Sequence, residues 1–259
     1  MSESDYEYRG LMATTWDTLR GDTSRWGDRA TFRDLIARHG QPALDVGCAT
    51  GRLLLDYLSE GLDVDGVDRS PEMLDLCRAK AAARGLRPTL YQQAMETLDL
   101  PRRYGTILVP SSTFQLLTDT ALAREAMRRF HAHLLPGGGL VMTFMTLWRE
   151  GDPIVTDWGT PRERIRAEDG ATVRRWSRAS YEPDAQVEHT EDRYEIVRDG
   201  VVLAAEEHRR SPATRWYRHD QIRALYSEAG FVDLQLTREW SGEPASPEDR
   251  VITAVGTRG

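Results

Sequence analysis

Two carboxylates and the bend between them carry the most specific chemistry in this sequence. Asp45 closes the apolar run Ala43-Leu44-Asp45-Val46 and is followed by Gly47-Cys48-Ala49-Thr50-Gly51. Small residues in such a run let the backbone turn sharply and approach a ligand closely, an approach that side chains on Gly47 or Gly51 would obstruct. Asp68 closes a second strand-like run, Leu62 to Val67. If the two runs are parallel neighbours, both acids lie at the carboxyl edge of a sheet, where open α/β folds bind their ligands. A dinucleotide fingerprint also combines a glycine loop with a later acid, but its spacing is G-x-G-x-x-G and the sixth position here is Arg52.

The elements that must hold these groups follow a regular alternation. Arg52 to Glu60 reads as a helix. Pro71 to Arg84 reads as another, with Ser70 as its N-cap, Pro71 at its first position and Gly85 as its stop. Leu74, Cys77 and Ala81 give that helix one apolar face. Pro88 to Gln92 is expected as a third strand and Tyr104 to Val109 as a fourth. Ala123, Met127, Phe130 and Leu134 form the buried stripe of a helix from Asp119 to Leu135. His131 and His133 near its end read as surface residues favoured by the helix dipole. Pro136-Gly137-Gly138-Gly139 then turns into a strand from Leu140 to Thr146.

The run Asp45-Val46-Gly47-Cys48-Ala49-Thr50-Gly51, with Asp68-Arg69-Ser70-Pro71 after it, resembles the first two motifs of the class I S-adenosylmethionine-dependent methyltransferases. Ala49 replaces the middle glycine of the family pattern, a methyl group that is tolerated if φ stays negative. Leu134-Leu135-Pro136-Gly137-Gly138-Gly139-Leu140 before an apolar strand, and Ala229-Gly230-Phe231 after a helix, extend the resemblance. It implies a Rossmann-like, doubly wound, seven-stranded α/β sheet, mostly parallel, with a reversed terminal hairpin formed by Phe231 to Trp240 and Val251 to Thr257. The implied cofactor is S-adenosylmethionine. Asp45 would lie near its amino-acid end, and Asp68 would take both ribose hydroxyls in charge-assisted hydrogen bonds. Gln93, where the family often has an acid, would accept the adenine amino group through its carbonyl oxygen, with Ala94 and Met95 against the ring. Gly47, Cys48, Ala49, Gly51 and Arg69 complete the implied cofactor shell, and Pro110 and Ser111 would run past the sulfonium. Ser112, Phe114 and Gln115 then become candidates for the acceptor wall, although Phe114 also suits the core.

Residues 1–40 read as an N-terminal helical lid segment, with Tyr6, Tyr8, Trp16 and Trp26 in polar surroundings and a short helix from Thr31 to Arg38. The resemblance makes Trp16 a cover for the methionine part of the cofactor. Residues 41–146 and 213–259 are expected to form the cofactor-binding core. Between them, residues 147–212 alternate charged with β-branched and aromatic residues, and Asp199-Gly200 separates Tyr194–Val197 from Val201–Leu203 as a hairpin turn. This stretch is expected to be an antiparallel β insertion that caps the acceptor or forms a homodimer contact. Its Arg162, Arg164, Arg174 and Arg175 could grip a phosphate on the acceptor bidentately. Trp148, Trp158, Trp216 and Tyr217 are expected at the acceptor mouth. No base stands out; Tyr217, His219 and His208 are the candidates to test.

At 259 residues, 40% hydrophobic and 29% charged, the composition is that of an ordinary globular chain. A formal charge of −7 argues against a nucleic-acid backbone as the main partner, while the basic residues, nearly all arginine, leave room for a local cationic pocket. Cys48 and Cys77 have no metal-site spacing, so no metal is expected. No apolar run reaches the length of a membrane span, and the acidic start differs from a signal peptide; a cytoplasmic location with no membrane partner is the expectation. The functional expectation is methyl transfer to a nitrogen or oxygen of a small-molecule acceptor, and the resemblance to bacterial amino-sugar N-methyltransferases is looser. An NAD-dependent oxidoreductase and a non-catalytic S-adenosylmethionine-binding protein are the rivals.

Overall fold

Ala43–Val46 (β1) is buried at every position, which suits a strand with neighbours on both edges and layers on both faces. In the computed structural model, which describes residues 8–259 and so leaves Tyr6 outside, β1 is flanked by two parallel partners. These are Val64–Asp68 (β2) and Tyr104–Val109 (β4). The rest of the sheet is Leu90–Gln92 (β3), Leu134–Met145 (β5), Phe231–Arg238 (β10) and Val251–Arg258 (β11), in the order β10-β11-β5-β4-β1-β2-β3. The β11 strand runs antiparallel to both β5 and β10, so the reversed hairpin expected at the end of the chain is present.

The crossover connections are helices: Leu54–Ser59 (α4), Pro71–Ala83 (α5), Thr120–His133 (α6) and His219–Glu228 (α7). Ser70 caps α5 by accepting the Met73 N–H at 3.1 Å, and Pro71 occupies its first turn. Asp28–His39 (α3) adds Phe32 and Ile36, neither of them exposed, to the layer that holds Leu54, Leu55, Tyr57 and Leu74. On the other face, Ile107, Val109, Phe114, Met127, Phe130 and Tyr226 form the second layer. Register sets the site: Asp45 lies opposite Gly66 of β2 and Leu108 of β4, and Asp68 is the last residue of β2.

The chain divides into two units. One comprises Trp26–Leu147 and Trp216–Gly259; the other comprises the described residues up to Arg25 and Trp148–Arg215. The boundary therefore falls at Trp26 and not after residue 40, because Phe32, Leu35 and Ile36 of α3 face the large sheet. Gly10–Thr14 (α1) and Trp16–Arg20 (α2) instead give Leu11, Met12 and Leu19 to the second unit, where they cover Ala171, Val173, Tyr194 and Ile196.

That second unit is built on a four-stranded antiparallel sheet of Arg162–Ile165 (β6), Thr172–Glu182 (β7), Val187–Arg198 (β8) and Val201–Arg215 (β9), in sequence order. Asp199 and Gly200 at the β8–β9 turn both have positive φ, 51° and 78°, the signature of a two-residue hairpin whose twist matches its strands. Among the described residues no helix is long and apolar enough to cross a membrane.

Candidate functional site

The bend after β1 is fastened to β2 by its own amides. Gly47 and Cys48 both donate to the Val67 carbonyl, at 2.8 and 3.1 Å. Ala49 donates to Asp68 Oδ2 at 2.9 Å, and Ser70 donates to Asp68 Oδ1 at 2.8 Å. Asp68 is thus held at the sheet edge by amides from both sides, its carboxylate half-buried and oriented before any ligand arrives. Burial pushes its pKa up, against the pull of those N–H donors.

The glycines are needed for a different reason than the sequence suggested. Gly47 and Gly51 have φ of 70° and 83°. A Cβ on Gly47 would run into the Thr113 side chain, and one on Gly51 would stand 2.7 Å from Cys77 Sγ and from Leu55 Cγ. The protein itself fills those spaces, so close packing adds to the left-handed backbone in demanding glycine. Cys48 is buried, with only its backbone available to the bend's outer side.

Ala49 departs from expectation. Its φ is +49°, in the left-handed region, where a Cβ crowds the following carbonyl at a cost of roughly 1–2 kcal/mol. Part of the gain from removing that Cβ is offset by the greater freedom of glycine in the unfolded chain, about 0.4–1 kcal/mol. Ala49→Gly is therefore expected to stabilise the protein by about 0.5–1 kcal/mol. Urea unfolding is the check, and a lowered midpoint would contradict the strain.

Asp45 is 1% exposed, and its Oδ1 has no hydrogen-bond partner. Arg52, which could have neutralised it, is committed to Asp28 (Nη1 to Oδ1, 3.0 Å) and lies over the Trp26 ring at 4.9 Å. Burial pushes the Asp45 pKa up to about 7; Arg52 lowers it and Asp68 raises it, both more weakly. The folded protein therefore holds this proton more tightly than the unfolded chain does. Ionising Asp45 destabilises the fold increasingly as pH rises from about 4 to about 7, and fully above that. Asp45→Asn should gain more stability over the parent at pH 8 than at pH 5, read from urea midpoints. An equal difference at both pH values would exclude an uncompensated carboxylate.

At the next strand edge, Gln93 forms a two-point clamp on Asp99: Oε1 accepts its N–H at 2.8 Å and Nε2 donates to its carbonyl at 3.1 Å. The amide is thereby oriented, with one lone pair of Oε1 left for a further donor. Ala94 and Met95 follow, half-buried. After β4, Pro110 is buried and Ser111 has a φ of 58°, while Ser112 is half-buried.

Two residues expected at the acceptor wall belong to the interior instead. Phe114 has no exposed surface and meets the rings of Phe144 and Tyr217, each at 5.9 Å between centroids. Gln115, also fully buried, clamps the Met145 backbone, donating at 2.9 Å and accepting at 2.6 Å. Both are drawn inward because the turn Thr113–Leu116 lies against β5. Tyr217 packs on Phe144 at 5.8 Å and, like Trp216, is buried. His219 opens α7, and its Nε2 is buried without a hydrogen-bond partner. His133 also differs from expectation: it is 6% exposed, its Nε2 accepts the Leu100 N–H at 3.0 Å, and Nδ1 must then carry the proton donated to the Arg129 carbonyl at 2.8 Å.

The remaining candidates lie in the second unit. Trp16 is half-buried, with the Arg20 guanidinium 4.2 Å above its ring and Tyr8 edge-on at 5.1 Å. Trp148 donates to the Asp152 carbonyl at 3.0 Å, and Trp158 lies under Arg178 at 4.9 Å. His208 meets Glu206 at 3.1 Å and the Tyr194 ring at 5.5 Å.

A model of a methyltransferase domain matches residues 43–138, the stretch from β1 to the start of β5. A protein of Geobacillus sp. (strain WCH70) named as a methyltransferase is 28% identical over 210 residues, covering 81% of each chain. The dTDP-3-amino-3,6-dideoxy-alpha-D-glucopyranose N,N-dimethyltransferase of Streptomyces fradiae is 29% identical over 141 residues, 52% of this chain and 54% of its own. The S-adenosylmethionine-bound structure of CalS10, an amino pentose methyltransferase from Micromonospora echinaspora, shares the fold with a TM-score of 0.66 at 23% identity, over 99% of this chain and 100% of that one. The chain is a class I S-adenosylmethionine-dependent methyltransferase. S-adenosylmethionine is its methyl donor, and the oxidoreductase reading falls.

The methyltransferase's own residues fit that donor. An unpartnered, buried carboxylate oxygen on Asp45 suits a cationic amino-acid group, and Asp68 at the neighbouring strand end is held in place by the Ala49 and Ser70 amides. Sequence reasoning missed Thr113, whose side chain caps Gly47, and the Asp28–Arg52–Trp26 stack that keeps Arg52 from bonding Asp45 Oδ1; neither has a local signal, since each joins residues distant in the chain.

Proposed function

We propose that this methyltransferase methylates the amino group of a small, polar amine of the amino-sugar type, by in-line displacement in a water-poor pocket. The observation that carries the cofactor half of this reading is the pair Asp45 and Asp68, set on adjacent parallel strands on either side of one left-handed bend. The acceptor half rests on the two relatives whose names specify an amino sugar as substrate. It also rests on the stretch after β4: Pro110-Ser111-Ser112 lacks the acidic or Asn-Pro-Pro-type ending of methyltransferases that act on DNA bases or protein glutamine.

The bound donor supplies a methyl group on a positively charged sulfur, already a good leaving group. What the protein must add is alignment at roughly 3–3.5 Å and exclusion of water. Asp68 would accept both ribose hydroxyls and Asp45 the amino-acid cation. Gln93, Ala94 and Met95 would meet the adenine, and the backbone of Pro110 and Ser111 the reacting end. Ser112, Trp148, Trp158, Trp216 and Tyr217 are proposed for the acceptor, with Trp16 covering the donor. A neutral amine attacks without a base, so the enzyme needs only to receive it unprotonated. His208, His219 and Tyr217 are the groups available to take a proton from an ammonium.

The test is direct. S-adenosylmethionine at a hundred times its Kd should stabilise the protein by about 2.7 kcal/mol. With dTDP-3-amino-3,6-dideoxy-α-D-glucopyranose added, mass spectrometry should show the sugar nucleotide gaining a methyl group. Stabilisation by NAD and not by S-adenosylmethionine would overturn the cofactor assignment, and an unmodified amino sugar in the presence of bound donor would overturn the acceptor class.

A further inference from the structure

The surroundings of Asp45 are short of one positive charge, and the fold builds that shortage in. Asp45 at the end of β1, Asp28 at the start of α3 and Arg52 just before α4 all belong to the unit that carries the large sheet. A guanidinium has donors enough to serve two carboxylates. Here both Nη atoms go to Asp28: Nη1 donates to Oδ1 at 3.0 Å and Nη2 to Oδ2 at 2.5 Å, an end-on fork, with Arg52 Cζ 4.9 Å above the Trp26 ring. Asp28 is 2% exposed, so the pair is buried. The start of α3 is pinned in turn, because Thr31 Oγ1 donates to the Trp240 carbonyl at 3.2 Å and the Trp240 ring comes within 3.2 Å of where a Gly27 Cβ would stand.

The other neighbours of Asp45 bring no cation. Burial pushes the Cys48 thiol and the Tyr57 hydroxyl up, so both stay neutral; Asp68 is a second acid, and Arg29 is committed to Asp56 at 2.7 Å. The Leu54 N–H bonds the Asp45 carboxyl but carries no charge. A buried carboxylate with an unpaired oxygen is costly until a counter-ion reaches it. The methyl donor carries one, its amino-acid ammonium.

We propose that Asp28 is a positioning residue for the methyl donor: by holding the Arg52 fork end-on, it keeps that guanidinium from closing on Asp45, whose Oδ1 stays open to the donor's ammonium. The proposal rests on the reading that Asp45 receives the donor's amino-acid cation, and it adds the residue that keeps Arg52 from taking that place. Asp28 acts through Arg52 and need not touch the donor.

Asp28→Asn keeps the side-chain shape and removes the charge that holds the fork. Arg52 then turns to Asp45 and the ammonium must compete with it, so S-adenosylhomocysteine should bind about 10- to 100-fold more weakly by calorimetry at pH 7.5, the loss of one charge-assisted hydrogen bond. The pH profile should change as well. In the parent, burial holds the Asp45 pKa at about 7 and only the ionised form takes the ammonium. Parent Kd should therefore fall about eightfold between pH 6 and pH 7.5, a range in which an α-amino group stays mostly protonated. In Asp28→Asn the guanidinium keeps Asp45 charged throughout, and Kd should vary by less than about twofold over that range. Asp68 is common to both proteins, so the difference between the profiles reports Asp45.

Combining Asp28→Asn with Arg52→Met removes the competitor together with its holder, whose effects on the Asp45 charge oppose each other. Affinity at pH 7.5 should return to within about threefold of the parent, a rescue that a merely structural role for Asp28 does not predict. A single variant that binds as the parent does, or a double variant that binds no better than the single one, would overturn the proposal. The parent profile needs no variant to fold: a Kd unchanged from pH 6 to pH 7.5 would mean that Asp45 already has its counter-ion, and the positioning role would fall. Asp45→Asn separates the two levels. Parent-like affinity in Asp45→Asn would remove Asp45 from the donor site and the proposal with it, whereas weakened binding there beside unchanged binding in Asp28→Asn would strike the positioning role alone.

Discussion

Asp68→Asn is expected to bind S-adenosylmethionine at least about 100-fold more weakly than the parent while remaining folded. Hydrogen bonds to a charged group contribute about 1.5–3 kcal/mol each, and a ribose offers two hydroxyls to one carboxylate, so the loss should reach about 3 kcal/mol or more. The asparagine cannot recover it, because its amide presents two donors where the carboxylate presented an acceptor. Stability should change far less. The Asn oxygen can still accept from Ser70 or Ala49, which now donate to Oδ1 and Oδ2. Burial already disfavours the charged form at this position, so removing the charge offsets part of the lost bonding. Calorimetry with S-adenosylhomocysteine and S-adenosylmethionine, alongside thermal melting, separates the two effects. Affinity within threefold of the parent would remove Asp68 from the cofactor site.

The features legible in the sequence share a property: each is written within a few residues of chain. An apolar run, a carboxylate and a bend of small residues announce the β1 edge, and Ser70-Pro71 announces α5 with its observed cap. Asp199-Gly200 announces a turn that does adopt positive φ at both positions. The seven-stranded sheet with its reversed terminal hairpin came from family resemblance, and the strand order only from the structure, because periodicity cannot order parallel strands.

What escaped reading depends on partners far away in the chain. Gln115 reads as a wall residue until Met145 takes both ends of its amide, and Gln93 as a free acceptor until Asp99 does the same. His133 has the dipole-favoured position of a surface histidine, but the Leu100 N–H needs an acceptor and its ring supplies one. The first forty residues look uniform in composition. Leu11, Met12 and Leu19 nevertheless serve the small sheet while Phe32 and Ile36 serve the large one, and only the packing separates them. Ala49 is the reverse case. Its place in the motif was plain, but its φ was set by the amides of Gly47, Cys48 and Ala49 reaching Val67 and Asp68, which bend the chain more tightly than an alanine prefers.

Phe114→Ala is expected to cost about 3–5 kcal/mol of stability, because it empties a site with no exposed surface in which two aromatic rings have lost their partner. The damage should reach the cofactor edge as well. Phe114 sits three residues after Ser111, whose left-handed φ persists only while the surrounding packing holds the turn, and it directly precedes Gln115, the clamp on β5. Loss of the ring frees that turn, so the variant's S-adenosylmethionine affinity should fall together with its stability. Phe114→Leu, which fills most of the volume, should recover the greater part of both. Urea unfolding and calorimetry on the two variants give the ordering parent, Leu, Ala in each measurement. An alanine variant that unfolds at the parent's midpoint, binds the donor normally and loses only acceptor affinity would return Phe114 to the wall of the acceptor pocket, and with it the role that its burial now denies.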